Sequence, residues 1–370
     1  MNKKLILISL AMLLSFGSLL TACGGSSSTS STPASSAPAS AAETPAGRDP
    51  STLKYAIMFT GSLGDLGFVD EGYAGMLLAQ EELGISFDYA ECKAPSDYEP
   101  QLRLFAESGE YELVMAHGSN TADAIEVLAK EYPEQRFCVI DGILDGYDNV
   151  SAVGARDPEQ SFLSGVLSGL VTLDDRMPNA NKENVLGFAI GMDSPVSRST
   201  AAGFISGARY VNPEVEVITA FVGGYRDPGK GKEIAMMAYG RGADIVSHNA
   251  GSAILGIFQA AEEMGRYGIG TSIASANAEY SLCTSLKNID ILIKNEIKSD
   301  VDGEWISGTK KYGIKEGICD IDFTGINAEI PADLMEIVMD VRQHVIDGKV
   351  VPAYDLPEIE EWTKNNQYKK

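Results

Sequence analysis

The chain has 370 residues, a formal net charge of −23 and 44% hydrophobic residues. That length suggests about two domains, on a prior of roughly 150 residues each, with ample apolar content for packed cores. The acidic balance argues against nucleic acid, which needs basic surface to displace counterions, and against charge-driven adhesion to anionic lipid. Three scattered histidines, no HExxH and no paired CxxC argue against a zinc site.

Met1-Asn2-Lys3-Lys4 is a positive start, and Leu5 to Leu20 is apolar but short for a membrane span. Leu20-Thr21-Ala22-Cys23-Gly24 then places small residues around a cysteine, the arrangement of a secretory signal peptide over 1–22. It resembles a bacterial lipobox, which implies lipidation of Cys23, anchorage to the cell membrane and an extracytoplasmic location. Residues 23–50 are almost wholly Ser, Thr, Ala, Pro and Gly, a composition that buries no core and predicts a disordered tether. A flexible chain of that length spans roughly 30 Å. Outside the cytoplasm disulfides are allowed among Cys92, Cys138, Cys283 and Cys319, although Cys138 sits in the apolar run Phe137–Ile140 and reads as core.

From Lys54 the pattern repeats strand, loop, helix. Strands are predicted at Tyr55–Phe59, Ser86–Ala90, Tyr111–Ala116, Phe137–Ile140 and Val150–Gly154, with helices at Tyr73–Leu83, Tyr98–Ser108 and Thr121–Glu131. The loop after the first strand, Thr60 to Phe68, is glycine-rich. The loop after the third holds His117-Gly118-Ser119-Asn120, and the fourth strand ends at Asp141. A helix over Glu159–Leu173 and a polar break lead to a second series, beginning with the strand Val185–Ile190, which ends at Gly191-Met192-Asp193, and the helix Val196–Val211. The stretch from Phe221 to Gly251 completes one βαβ unit. Asp227-Pro228 is placed to start its helix, and its strand-end loops carry Tyr225 and Asn249, where parallel sheets place ligand contacts. Gly224-x4-Gly229-Lys230 comes near a P-loop, but Gly231 stands where Ser or Thr would hold magnesium.

A helix at Ile254–Met264 and a strand at Gly268–Ala274 follow. Ser281–Leu286 reads as a strand, Asn288–Ile297 as a helix, Tyr312–Phe323 as paired strands and Pro331–Ile346 as a long amphipathic helix. The alternation predicts an α/β protein of two doubly wound parallel-sheet lobes with a cleft between them. The expected division is 51–157 plus 279–325 for one lobe and 158–278 plus 326–360 for the other.

Several motifs in order resemble the basic membrane protein family of ABC-transporter substrate-binding lipoproteins, whose members include purine-nucleoside-binding proteins. They are Gly191-Met192-Asp193-Ser194-Pro195, Gly203-Phe204-Ile205-Ser206-Gly207-Ala208, Val211-Asn212-Pro213, Gly223-Gly224-Tyr225-x-Asp227-Pro228, Gly242-Ala243-Asp244 and Thr284-Ser285-Leu286-Lys287. The resemblance implies a type I periplasmic-binding fold whose lobes, joined by a hinge, close around a ligand. It implies two rings, at Phe68 and Tyr225, sandwiching a base, with Asp141, the backbone of Gly191 and Lys287 contributing further contacts. Three positions depart from the family: Phe59 and Ser272 stand where it has acids, and Val69 where it has an amide.

Each candidate has a plainer alternative. Phe68 and Tyr225 could be core, Asp141 a cap, Asn249 a bond to its own loop, Lys287 a surface ion pair, and His117 a loop residue bonded to backbone. Arg198 or Arg226 could add a cationic contact or remain solvated. With Asp193 at the end of its strand, the candidate ligand set is Phe68, Asp141, Gly191, Asp193, Tyr225, Asn249, Ser272 and Lys287. The function this implies is capture of a small, nucleoside-like solute for an ABC permease, as a monomer with no cofactor, no metal and no catalysis. A ligand-sensing ectodomain serving a signalling receptor is the alternative. A nucleoside- or sugar-acting enzyme is the third reading, with Asp65, Asp141 and Asp193 as its available carboxylates but no GxSxG elbow or GxGxxG fingerprint.

Overall fold

In a computed structural model, residues 48–65, 67–272 and 277–369 are described. The signal segment, Cys23, most of the tether, Leu66 and part of the loop after Ser272 lie outside them. The described residues belong to one compact unit. In chain order the first elements are β1 (Lys54–Phe59), α1 (Phe68–Leu83), β2 (Ser86–Glu91), α2 (Tyr98–Ser108), β3 (Leu113–His117), α3 (Ala122–Glu131), β4 (Arg136–Ile140) and β5 (Val150–Ala155). Next come α4 (Asp157–Val171), β6 (Val185–Ile190), α5 (Pro195–Val211), β7 (Glu216–Phe221), α6 (Pro228–Gly240), β8 (Ala243–His248), α7 (Ile254–Met264) and β9 (Tyr267–Gly270). The last are β10 (Ser281–Lys287), α8 (Ile289–Val301), β11 (Gly308–Tyr312), β12 (Cys319–Asp322), α9 (Ala332–Ile346) and α10 (Ile359–Asn365).

Two six-stranded sheets result, ordered β11-β5-β4-β3-β1-β2 and β12-β10-β9-β8-β6-β7. Every pairing is parallel except β10 with β12. Central strands such as β3, β5, β6 and β8 are buried along their whole length, as expected where helices cover both faces of a parallel sheet. Each lobe thus has the doubly wound architecture that the alternation predicts.

Local signals set many boundaries. Gly84, at φ 78, takes the left-handed conformation that ends α1. Asp227 starts α6 by accepting a hydrogen bond from the Lys230 N–H at 2.9 Å, with Pro228 in the first helical position. Helix α1 begins five residues before its predicted start, so Phe68 lies in its first turn. The Asp65 carboxylate makes this early start possible by accepting from the backbone N–H groups of Gly67, Val69 and Asp70 at 3.0–3.2 Å.

The C-terminal third is divided differently from the expectation. Strand β10 lies between β9 and β12 in the second sheet, while β11 joins β5 in the first. The two strands expected to pair within Tyr312–Phe323 therefore belong to different sheets. Among the described residues the chain crosses between lobes three times: from β5 to α4, from β10 to α8 and from β11 to β12. Backbone bonds knit these crossings together, with the Arg156 N–H donating to Tyr312 O at 2.7 Å and the Asn288 N–H to Ile318 O at 2.8 Å. Cys92, Cys138, Cys283 and Cys319 are buried free thiols.

Candidate functional site

In the first lobe, β1 and β3 end side by side at Phe59 and His117. Phe59 is fully buried and meets the His117 ring edge-on, with centroids 5.3 Å apart. It is core, lying beneath the site rather than lining it. Phe68 stacks on His117 at a centroid distance of 3.9 Å and an interplanar angle of 27°. Both His117 ring nitrogens are buried, and neither has a hydrogen-bond partner among the described residues, so the backbone-bonded alternative does not hold. Burial first, and the charge of Lys287 second, push the His117 imidazole down to about 3. It is neutral at physiological pH and serves as a flat shelf for Phe68. Such ring pairs contribute about 0.5–1.5 kcal/mol beyond area burial. Phe68 itself is only partly buried.

In the second lobe, Tyr225 is 45% exposed. Its ring rests on Gly191, where an added Cβ would lie 2.5 Å from Cε1 of the ring and 2.9 Å from Asn249 O. The Tyr225 hydroxyl lies 3.2 Å from the Ser197 hydroxyl, and Tyr225 O accepts from the Ser252 N–H at 3.0 Å. The ring is therefore braced while part of it stays open. Gly191→Ala is expected to displace Tyr225 and weaken ligand binding at least tenfold, with the thermal midpoint falling by only a few degrees. Calorimetric titration beside a melting curve checks this, and unchanged affinity would refute the role given to the ring.

Asn249 is spent on the backbone of a neighbouring segment, not on its own loop. Its Oδ1 accepts from the Gly191 N–H at 2.9 Å, and its Nδ2 donates to Ser197 O at 2.9 Å. It fixes the seat of Tyr225 rather than presenting a free amide. Asp193 is exposed and pairs with Arg198 at 2.5 Å, and the Arg198 guanidinium lies 6.0 Å from the Phe221 ring centroid. Asp193 and Arg198 line a small surface pocket with Tyr354 and Asp355. Ser272 is buried just beyond the end of β9.

The charged centre lies at the hinge. Lys287, the last residue of β10, donates to Asp141 Oδ2 at 2.7 Å and to Asp157 Oδ1 at 3.3 Å. Asp141 belongs to the first lobe, and Asp157 starts α4 of the second. All three side chains are nearly buried, so Lys287 is no surface ion pair. Burial alone would lower the Lys287 ammonium, but the two carboxylates outweigh it and hold the lysine charged, above its ordinary value. Asp141 adopts φ 60, held by its N–H donating to Val153 O at 2.6 Å. That backbone conformation is uncommon outside glycine and concentrates at functional sites. Its Oδ1 is buried and has no partner among the described residues.

The two aromatic loops approach each other. A Cβ on Gly61 would lie 2.9 Å from Nη2 of Arg226, the residue after Tyr225, so Arg226 reaches from the second lobe to the glycine-rich loop before Phe68. Sequence reasoning missed Asp157, which reads as an ordinary acid in a first helical turn, and Ser197. No local pattern marks either, because both are defined by partners distant in sequence.

A family described as ABC transporter substrate-binding protein PnrA-like (Bmp) matches residues 52–350. A CD4+ T-cell-stimulating antigen of Listeria innocua is 26% identical over 95% of this chain and 98% of its own length. The ABC transporter nucleoside-binding protein BmpA of Lactococcus lactis is 26% identical over 73% of this chain and 79% of its own. In fold the chain is similar to an ABC transporter solute-binding protein from Aeropyrum pernix K1, with a TM-score of 0.70 and 24% identity over 85% of this chain and 98% of that one.

Proposed function

This chain belongs to the Bmp family of PnrA-like ABC transporter substrate-binding proteins, and we propose that its own cargo is a nucleoside-like solute held in the cleft between the lobes. The observation that carries this reading is the pair of braced, partly open rings, Phe68 at the start of α1 on its histidine shelf and Tyr225 in the loop after β7 on Gly191. Two rings so placed suit a flat heteroaromatic ligand, because stacking rewards planar π-faces and tolerates changes at the ligand's edge. The hinge cluster of Lys287, Asp141 and Asp157 lies where the two lobes meet and offers directional partners for ligand hydroxyls. The similarity to a protein named as nucleoside-binding supports the same cargo. Capture needs stacking, a few directed hydrogen bonds and lobe closure, with no covalent step.

Anchorage through Cys23 on the outer face of the membrane, and delivery to an ABC permease, complete the proposal. Similarity to an uncharacterised lipoprotein of Pyrococcus abyssi, 28% identical over 85% of this chain, supports the anchor.

The test is a thermal-shift screen of the full chain against nucleosides, free bases, sugars and flavins. A nucleoside at a hundred times its dissociation constant should add about 2.7 kcal/mol of stability. A shift with a sugar and none with any nucleoside would replace the cargo.

A further inference from the structure

On α1, the residues Phe68, Glu71, Gly72 and Gly75 share one face through their spacing of three and four. This face is pressed flat against its neighbours. A Cβ on Gly72 would lie 2.6 Å from Nε2 of His117, and one on Gly75 would lie 2.8 Å from Asp290 O at the start of α8. Glu71 is the one acidic side chain of the four, a turn away from the ring of Phe68. It is partly buried, and among the described residues its carboxyl makes no hydrogen bond. Val69, beside it, is buried and brings no polar atom, and Phe59 is sealed in the core.

We propose that Glu71, one turn from Phe68 on the same face of α1, is a ligand-contacting specificity residue of the cleft, its carboxyl pairing with the polar edge of the stacked ring. The inference rests on the nucleoside-like cargo proposed above. A protonated carboxyl offers one donor and one acceptor, the pattern of a carboxamide, whereas a carboxylate only accepts.

The surroundings favour the neutral form. Asp65 approaches from the preceding loop, Asp70 from α1 itself and Asp290 from α8, against the single ammonium of Lys287 from β10. That ammonium is already engaged by Asp141 and Asp157, and His117 of β3 is neutral. Burial, followed by the field of Asp290, pushes the Glu71 carboxyl up to about 8. It is therefore protonated below that pH and loses its donor above it.

The experiment titrates adenosine, guanosine and inosine into the full chain by calorimetry at pH 6.5 and pH 9.5, for wild type, Glu71→Gln and Glu71→Ala. The nucleoside that binds should do so at least tenfold more weakly at the higher pH in wild type. Glu71→Gln keeps a donor and an acceptor at every pH and should lose that dependence with adenosine, which does not itself titrate between these pH values; with guanosine or inosine, any dependence the variant keeps is that of the nucleoside's own N1–H. Glu71→Ala should bind at least tenfold more weakly at pH 6.5. Binding within twofold of wild type in Glu71→Ala, or an unchanged pH dependence in Glu71→Gln, overturns the role of Glu71 and leaves the cargo standing. Absence of binding by wild type to all three nucleosides overturns both.

Discussion

Replacing Lys287 with alanine is expected to destabilise the protein by roughly 3–5 kcal/mol and to abolish measurable ligand binding. Asp141 and Asp157 are nearly buried, and Lys287 is their shared cation at 2.7 and 3.3 Å. Removing it leaves two carboxylates facing each other in low dielectric, and that loss exceeds the net value of the ion pair. The deficit should shrink on acidification. Burial already holds the Asp157 carboxyl above its ordinary value, and losing the Lys287 ammonium that opposes this raises it further, so folding takes up a proton. For an acid raised in this way, the folded state is fully supported below the unfolded pKa, and support is lost as pH rises through the folded one. Urea unfolding at pH 5 and pH 7 should therefore show a larger gap between variant and wild type at pH 7. A gap that is equal or larger at pH 5 would contradict this account. Restoring neutrality with Asp141→Asn and Asp157→Asn on the Lys287→Ala background should recover much of the stability and none of the binding, because the polar contacts at the hinge stay altered.

The second consequence of this cluster is mechanical. Asp141 directly follows β4 of one sheet, Lys287 ends β10 of the other, and Asp157 opens the first helix beyond a crossing. The triad joins the lobes at the point about which they would hinge, so a ligand that met it would be coupled to closure. The nearby Arg156 guanidinium, bound to Glu316 at 2.9 and 3.1 Å, and the Ile314 N–H, donating to Glu159 at 2.7 Å, tie the remaining crossing to the same place.

How far such a site can be read from sequence depends on whether its determinants are local. The bounds of α2, β6 and α7 agree with the sequence reading because an apolar period and a terminating glycine or polar turn act within a few residues. Strand pairing is not local. Strand β11 pairs with β5, more than 150 residues earlier, and β12 runs antiparallel to β10, so adjacency in the chain gave a false hairpin over Tyr312–Phe323. The same holds for side chains. That Lys287 lies at the end of a strand, and Asp141 and Tyr225 in the loops that follow strands, is visible in the pattern. Which way Asn249 or Asp193 turns is decided by Gly191, Ser197 and Arg198, which compete for those groups. Glu71 escaped notice for a related reason: an acid early in a helix is expected from the helix dipole alone, and only the packing of α1 on β3 and α8 gives it another meaning.

The helix seam beyond the hinge should be equally intolerant. Helices α4 and α5 each carry a G-x-x-x-G pair, Gly165 with Gly169 and Gly203 with Gly207. A Cβ on Gly203 would overlap the Pro158 carbonyl, one on Gly207 the Phe162 carbonyl and one on Gly165 the Phe204 carbonyl. At Gly169 the separation from Ala208 O would be 2.6 Å. The two helices thus pack backbone against backbone, and no side chain can give way. Gly203→Ala gains about 1 kcal/mol of helix propensity, but the helices must then move apart along a fully buried seam. Overpacking of this kind costs about 1–3 kcal/mol where neighbours can adjust, and the rigid carbonyl puts Gly203 at or beyond the upper end. We expect a net loss of about 2–3 kcal/mol. Gly240→Ala is the control: it lies at the end of α6 with nothing within 4 Å of its would-be Cβ, and it should be neutral or stabilise by up to about 1 kcal/mol. The two substitutions are chemically identical, so opposite signs in denaturant unfolding isolate the seam. Because α4 begins at Asp157, spreading α4 from α5 also shifts that carboxylate relative to Lys287. Gly203→Ala should therefore weaken ligand binding in the surviving folded fraction, while Gly240→Ala leaves it unchanged. Equal stability of the two variants would mean that the seam is looser than the structure shows.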